Sequence, residues 1–283
     1  MPLIRQFEAS TAINAIDLLV AAVPELSKGR LKDAMNKGAV QLMGKPVKRL
    51  RRAQTPLPAG ARLQLHYDEA LLQRQATTSV LLDDQGQFSL WFKPAGVLSQ
   101  GNEWGDHLSL LRHAEQHFSP ARHVFLLHRL DREASGLVLL AHSKKAAAAF
   151  SQLIARRQIE KHYHIQVQGL LAPDLLAQGV ITQPLDGKPC RTEFTLLSTD
   201  VATQSSWLAI RLISGRKHQI RRHFAAIGHP VMGDPRYGQQ NKSANGLALQ
   251  AVSLSFQCPI RQHLRQYQLP AQWCIKPALS TAT

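Results

Sequence analysis

The stretch HVFLLHRLDREASGLVLLA (123–141) limits the fold more than any other part of the chain. Two short apolar runs, VFLL and LVLLA, flank a segment from His128 to Glu133 that is polar apart from Leu130. Runs this short, bounded by polar residues, read as two buried strands. The segment between them is then a loop held at both ends by a sheet, a setting in which reactive side chains are often presented. Asp131 lies in that loop between Arg129 and Arg132. Two neighbouring guanidinium groups would favour the ionised carboxylate and depress its pKa. A structural salt bridge would have the same composition, so the triplet alone does not decide its role.

The remaining charge points to a polyanion. The formal net charge is +15 and the sequence pI about 10.2. Lys45, Lys48, Arg49, Arg51 and Arg52 crowd one Gly-Lys-Pro turn. Clustered cations of this kind suit a phosphate backbone, whose condensed counterions are released on binding. The three cysteines, Cys190, Cys258 and Cys274, form no C-x-x-C pair and no zinc spacing, which suits a reducing compartment. No apolar run approaches the roughly 20 residues of a membrane span. Glu8 and Asp17 interrupt the N-terminal stretch where a signal peptide would be apolar. The expectation is a soluble, cytoplasmic, monomeric protein with a nucleic-acid partner and no membrane partner.

Along the chain, TAINAIDLLVAA (11–22) has helical spacing. A second helix is expected between Ser27 as N-cap and Gly38 as stop, with Leu31, Ala34 and Met35 as its apolar stripe. AVQLMGKPVKRLRR follows as two short strand-like runs around a turn, then LPAGARLQLHY as a turn and closing strand. Residues 68–79 are polar and unperiodic, the expected linker. From residue 80 to 276, short apolar runs alternate with turns and with helices over 143–158 and 216–228. On the second of these, Ile220, Phe224 and Ile227 form the apolar stripe, with Lys217 and Arg221 on another face. That mixture predicts an α+β domain on a mixed, largely antiparallel sheet. The tail 277–283 is expected to fray.

Two family resemblances sharpen this reading. LSKGRLKDAMNKGAVQLMGKPV followed by LPAGARLQL resembles the S4 RNA-binding domain over roughly residues 10–67, which implies a small α/β domain over 1–67 that docks onto structured RNA. Met43 stands where that family usually has Asn. HRLDREASGL resembles the H-R-L-D-x-x-[ST]-S-G-L signature of the RluA-type pseudouridine synthases. KPAGV (93–97), KHYHIQVQG (161–169), GKPCRTEF (187–194) and SGRKHQIRRHFAAIGHPVMGDPRYG (214–238) resemble the same family's further segments, in its order. Ala134 departs from the usual Thr or Ser, and Cys190 from the usual Ala.

The second resemblance implies a pseudouridine synthase fold and an isomerase that detaches uracil from ribose at N1, turns it and rejoins it through C5. It makes Asp131 the catalytic aspartate, with attack on ribose, attack on the base and proton abstraction all open. Tyr163 maps to the active-site tyrosine and Arg221 to the basic partner of the aspartate. Ile220 supports the site, and Arg129 either fills the gap left by the flipped nucleotide or holds the loop. Lys28, Arg30, Lys32, Lys45, Lys48, Arg49, Arg51, Arg216, Lys217 and His218 are the expected RNA contacts. The S4-like segment favours ribosomal over transfer RNA.

The reaction has no redox step and no net transfer, so no cofactor and no metal are expected. His113 and His117 are spaced i, i+4 but lack the Glu of a zincin, and His162 and His164 flank Tyr163 on one strand face. Two rival readings are weighed. A carboxylate-dependent phosphodiesterase would need clustered acids for metal ions. A non-catalytic RNA-binding or ribosome-assembly factor on the same fold would be expected to lose Asp131, Tyr163 or Arg221, and all three are present.

Overall fold

The computed structural model describes residues 2–75, 77–238, 241 and 243–275. The tail expected to fray lies outside the described residues. The chain divides into two compact units, one made of 1–78 and 98–121 and the other of 79–97 and 122–283.

In the first unit, β1 (Leu3–Glu8) and β3 (Val40–Leu42) flank β6 (Arg62–Tyr67), and β4 (Lys48–Arg49) pairs with β3. A second small pair joins β2 (Ile13–Asn14) to β5 (Pro56–Leu57). Helix α1 (Ala15–Ala22) starts later than its spacing predicts, because Ile13 and Asn14 are drawn into that pair. Helix α2 (Lys28–Asn36) is as expected: Ser27 Oγ accepts the Arg30 amide, and Leu31, Ala34 and Met35 are buried. The expected linker contains a helical turn, α3 (Glu69–Leu72), capped by Asp68 and seated by buried Leu72. Helix α4 (Leu110–His117) completes this unit, to which 98–121 belongs although the strands before and after it in sequence belong to the other.

Among its described residues the second unit carries ten strands: β7 (Val80–Asp84), β8 (Phe88–Lys93), β9 (Phe125–Leu126), β10 (Ser135–Ala141), β11 (Ile159–Gln168), β12 (Val180–Ile181), β13 (Thr192–Asp200), β14 (Ser205–Leu212), β15 (Leu249–Gln257) and β16 (Leu264–Gln268). Their order is β12-β13-β14-β11-β15-β10-β8-β7, with β16 on β15 and β9 on β10. Among the strands of the described residues in this unit, the one parallel pairing is β10 with β15. Helices α5 (Lys144–Ala155), α6 (Pro173–Gln178) and α7 (Gln219–Ala226) accompany the sheet. All seven residues of β10 are buried, which explains its unbroken apolar run. Phe150 of α5 seals one side, with ring centroids 5.1 Å from Phe88 and 5.4 Å from Phe256. Burial of a side chain of this size stabilises by about 1.5–3 kcal/mol.

Candidate active site

The two apolar runs of the opening stretch become β9 and β10, paired antiparallel at Leu126 and Leu140. The loop between them is pinned at several points. The Ala134 amide donates to the Asp131 carbonyl at 3.2 Å, and the Gly96 amide to the Arg132 carbonyl at 2.7 Å. His128 Nε2 accepts from the Leu139 amide at 3.1 Å, which fixes its tautomer. Burial, then the charge of Lys161, push the His128 pKa down to about 3. Ser135 Oγ accepts from Gln250 at 3.0 Å, on the parallel partner strand. Gly136 has φ +120°, and a Cβ there would fall on the Ala251 backbone, so only glycine lets β10 and β15 approach. Ala134 is fully buried, and the loop is held without the hydroxyl that the related pattern carries.

Lys93, at the end of β8, is a second anchor. It is fully buried, and its ammonium donates to the carbonyls of Pro94 (2.9 Å), Val97 (2.8 Å) and Arg132 (3.3 Å). Burial lowers its pKa to about 7, against the charges of Glu133 and Asp131, which raise it. An unfolded lysine titrates near 10.5, so between those values the unfolded chain binds more protons and stability rises with pH. The protein should therefore gain stability as pH is raised from about 7 toward 10. Lys93→Met should lose that gain and melt lower, because three carbonyls lose their donor. Thermal melts of both proteins across this range test the assignment; parallel curves would refute it.

Asp131 is held from across the chain. Its Oδ2 accepts from Arg221 Nη1 at 2.9 Å, ninety residues away in sequence. Its other oxygen lies 3.6 Å from His218 Nε2. The flanking arginines are not its partners, contrary to the sequence expectation: Arg132 pairs with Glu133 at 3.1 Å and Arg129 is exposed. The chain turns at Asp131, whose carbonyl accepts the Ala134 amide, and Arg132 is drawn to Glu133 instead of the carboxylate beside it.

Arg221 is in turn clamped by Asp234, whose two oxygens accept from Nε and Nη2 at 2.8 Å each. Asp234 is fully buried and also accepts the Arg236 and Tyr237 amides. Burial works against the charge of Arg221, but its bonds to Asp234 and Asp131 outweigh that and raise its pKa. Burial likewise opposes the charge of Asp234, and Arg221 with the two amides holds its carboxyl below the usual range. Asp234 and Tyr237 were overlooked as site residues in the sequence reading, although both stand in the block that contains Arg221.

Tyr163 is buried on β11, beside a register shift in the β11–β15 pairing. Burial, then Asp131, raise the pKa of its hydroxyl well above the ordinary value. It lines one cavity with Asp131, Arg129, Arg216, His218, buried Ile220 and Arg221. An adjoining cleft of about 550 Å³ is lined by Asp131, Arg129, Arg157, Lys161, Arg216 and Lys217 among others. Five cations against one carboxylate make this an anion-accepting surface. Lys161, also unassigned from sequence, faces it with a pKa lowered by burial.

Helix α7 begins at Gln219 rather than residue 216. The Gln219 side chain accepts the Ser214 hydroxyl and the Arg216 amide, and His218 adopts a left-handed φ of +53°. Lys217 therefore lies outside the helix, and Ile227 is its half-buried C-cap. Cys190 is buried against the Gln183 carbonyl and His223, away from the cavity lining.

In the first unit, Lys45 and Lys48 are exposed, as is Lys32; Lys28 pairs with Asp17 and Arg30 with Glu69 on the surface. Arg49 and Arg51, expected as RNA contacts, are also engaged within the unit. Both bond to Asp106, Arg49 also to the Gly38 and Asn102 carbonyls, and Arg51 to the Asn36 carbonyl. These two arginines tie 98–121 to the basic turn and are not free cations.

The model of the RNA pseudouridylate synthase family matches residues 87–226, which include the loop, Tyr163 and Arg221. An uncharacterized RNA pseudouridine synthase of Aquifex aeolicus is 28% identical over 284 residues, 91% of this chain and 87% of that protein. The dual-specificity RNA pseudouridine synthase RluA of Vibrio vulnificus is 30% identical over 201 residues, 64% of this chain and 78% of that protein. The solved structure of human RNA pseudouridylate synthase domain containing 1 superposes with a TM-score of 0.57 at 20% identity, covering 70% of this chain and 85% of that one, and shares the fold. The chain belongs to the RNA pseudouridylate synthase family, isomerases that convert uridine in RNA to pseudouridine.

Proposed function

We propose that Asp131 is the carboxylate that drives this isomerisation in a structured RNA, and that the RNA is ribosomal. The observation that carries the reading is the placement of Asp131 on a sheet-anchored loop, aimed by Arg221 and Asp234 into a cavity it shares with Tyr163. Extruding the target base from its stack gives the enzyme access to N1 and C5. Tyr163 supplies a ring on which the uracil stacks. Ile220 packs the wall behind it, and Arg129, exposed on the loop, fills the space the base leaves. Arg216, Lys217, Lys161 and Arg157 hold the adjoining phosphates.

The first unit acts as an S4-like RNA-binding domain through Lys28, Arg30, Lys32, Lys45 and Lys48. Such an appendage favours a large folded target, which is why ribosomal RNA is preferred to transfer RNA. The protein works as a monomer in the cytoplasm.

Mapping pseudouridines in total RNA from cells with and without this protein tests the target. One or more ribosomal positions should disappear in its absence and return on re-expression. Loss confined to transfer RNA would refute the ribosomal assignment.

A further inference from the structure

One wall of the cleft beside Asp131 is the C-terminal end of α5, which contributes Ile154 and Ala155, with Arg157 just beyond it. The helix buries Ala146 and Phe150. Lys144, Lys145, Ala148, Ser151, Gln152 and Ala155 are exposed, and at about 3.6 residues per turn they share one face roughly 120° wide. The middle of that face is small or uncharged. Cations stand at both ends, Lys144 and Lys145 at the start and exposed Arg156 and Arg157 after the last turn. No acidic residue occurs from 143 to 159.

These cations are not placed for the stability of the helix. Lysines in the first turn face the positive end of the helix dipole, and no acid in that turn offsets them. Arg157 takes a left-handed φ of +58° at a helix end where glycine is usual. Elsewhere in this unit arginines pair with acids: Arg132 with Glu133, Arg191 with Glu193, Arg222 with Asp186. Among the described residues, Lys144, Lys145, Arg156 and Arg157 have no such partner.

We propose that this face of α5 docks a double-stranded stem next to the target uridine, across its minor groove. This rests on the pseudouridine synthase reading of the neighbouring site. The two cation pairs stand about 18 Å apart along the helix and reach phosphates of the two strands. The small side chains between them let the duplex approach closely. A-form RNA displays its 2′-hydroxyls in a wide, shallow minor groove. Gln152 meets them there, as does the Ser151 hydroxyl, which donates to the Ala147 carbonyl and still accepts. A single strand would instead want aromatic rings for its bases to stack on, and this face carries none. The stem so held ends at the cleft, where the unpaired target enters.

Two transcripts test this. One carries the mapped target uridine in a loop closed by a stem; the other is the same strand with one side of the stem changed so that it cannot pair. Lys144→Ala/Lys145→Ala should bind the first roughly tenfold more weakly, with the slope of log K against log salt shallower by about 2. Its affinity for the second should barely change. The variant should melt no lower than wild type, since it removes cations that oppose the helix dipole. Ala148→Glu, a solvent-facing change in the middle of the face, should show the same contrast between transcripts. Iron tethered at Ser151→Cys should cleave riboses on both strands of the stem, with the unsubstituted protein as the control for half-buried Cys274. Equal losses on both transcripts, an unchanged salt slope, or cleavage confined to unpaired nucleotides would overturn the proposal. Failure of the underlying reading has a separate signature: Asp131→Asn turning over like wild type, with these binding contrasts intact.

Discussion

Asp131→Asn should form no detectable pseudouridine while binding RNA as tightly as wild type. The substitution keeps the shape of the side chain and an oxygen for Arg221 Nη1, which now sits at 2.9 Å from the carboxylate. Arg221 retains both bonds to Asp234, so no buried cation is stranded and the fold should survive. What is lost is the negative charge and the nucleophilic or basic lone pair, the feature that every candidate role for this residue requires. A loss of at least about 10⁴-fold in single-turnover rate is expected, equivalent to about 5 kcal/mol or more of transition-state stabilisation. Product should be read by chemical mapping at the target position, with affinity and melting temperature measured alongside. Turnover within a few-fold of wild type would end the assignment of Asp131, whatever the family of the chain.

The sequence disclosed the elements whose signals are local. Ser27 and Gly38 bracket α2 because a cap and a left-handed stop are properties of single residues. The run LVLLA announced β10 because a strand buried on both faces is apolar throughout, whereas VFLL yields only the short, half-buried β9. Asp131 was legible as a candidate, but its partners were not. Proximity in sequence nominated Arg129 and Arg132, whereas the contact runs to Arg221, which the family resemblance alone supplied. The start of α7 was missed because it depends on one glutamine side chain bonding back to Ser214 and Arg216, and on a left-handed histidine that no helical periodicity reveals. Arg49 and Arg51 were legible as charge but their shared bond to Asp106 was not, since that residue lies more than fifty residues on. Asp234 went unassigned because a lone aspartate in a Gly-Asp turn reads as turn chemistry until its side chain is seen buried on a guanidinium.

Arg221 should prove the residue on which site and fold depend together. Its guanidinium has three arms in use, two on Asp234 and one on Asp131, and it is almost wholly buried. Arg221→Met removes the cation from Asp234, whose carboxylate is left buried with only the Arg236 and Tyr237 amides. Breaking a buried pair from one side costs about 3–5 kcal/mol. For a unit of this size that is a fall in melting temperature on the order of 10 °C. A loss of activity in that variant alone would therefore say little about catalysis. Arg221→Lys separates the two effects. Its ammonium keeps the charge but is a single point, unable to span both carboxylates with the fixed geometry of the fork. Melting should drop less than in the Met variant, because Asp234 can keep a cation. Turnover should still fall by roughly 10²-fold, since misplacement of the reacting carboxylate by about 1 Å costs that much. The comparison is made well below both melting temperatures, with RNA affinity measured in parallel. If the folded Lys variant turns over at the wild-type rate, Arg221 serves only to neutralise Asp234, and the aim of Asp131 must come from the loop anchors at Lys93, Gly96 and Ala134.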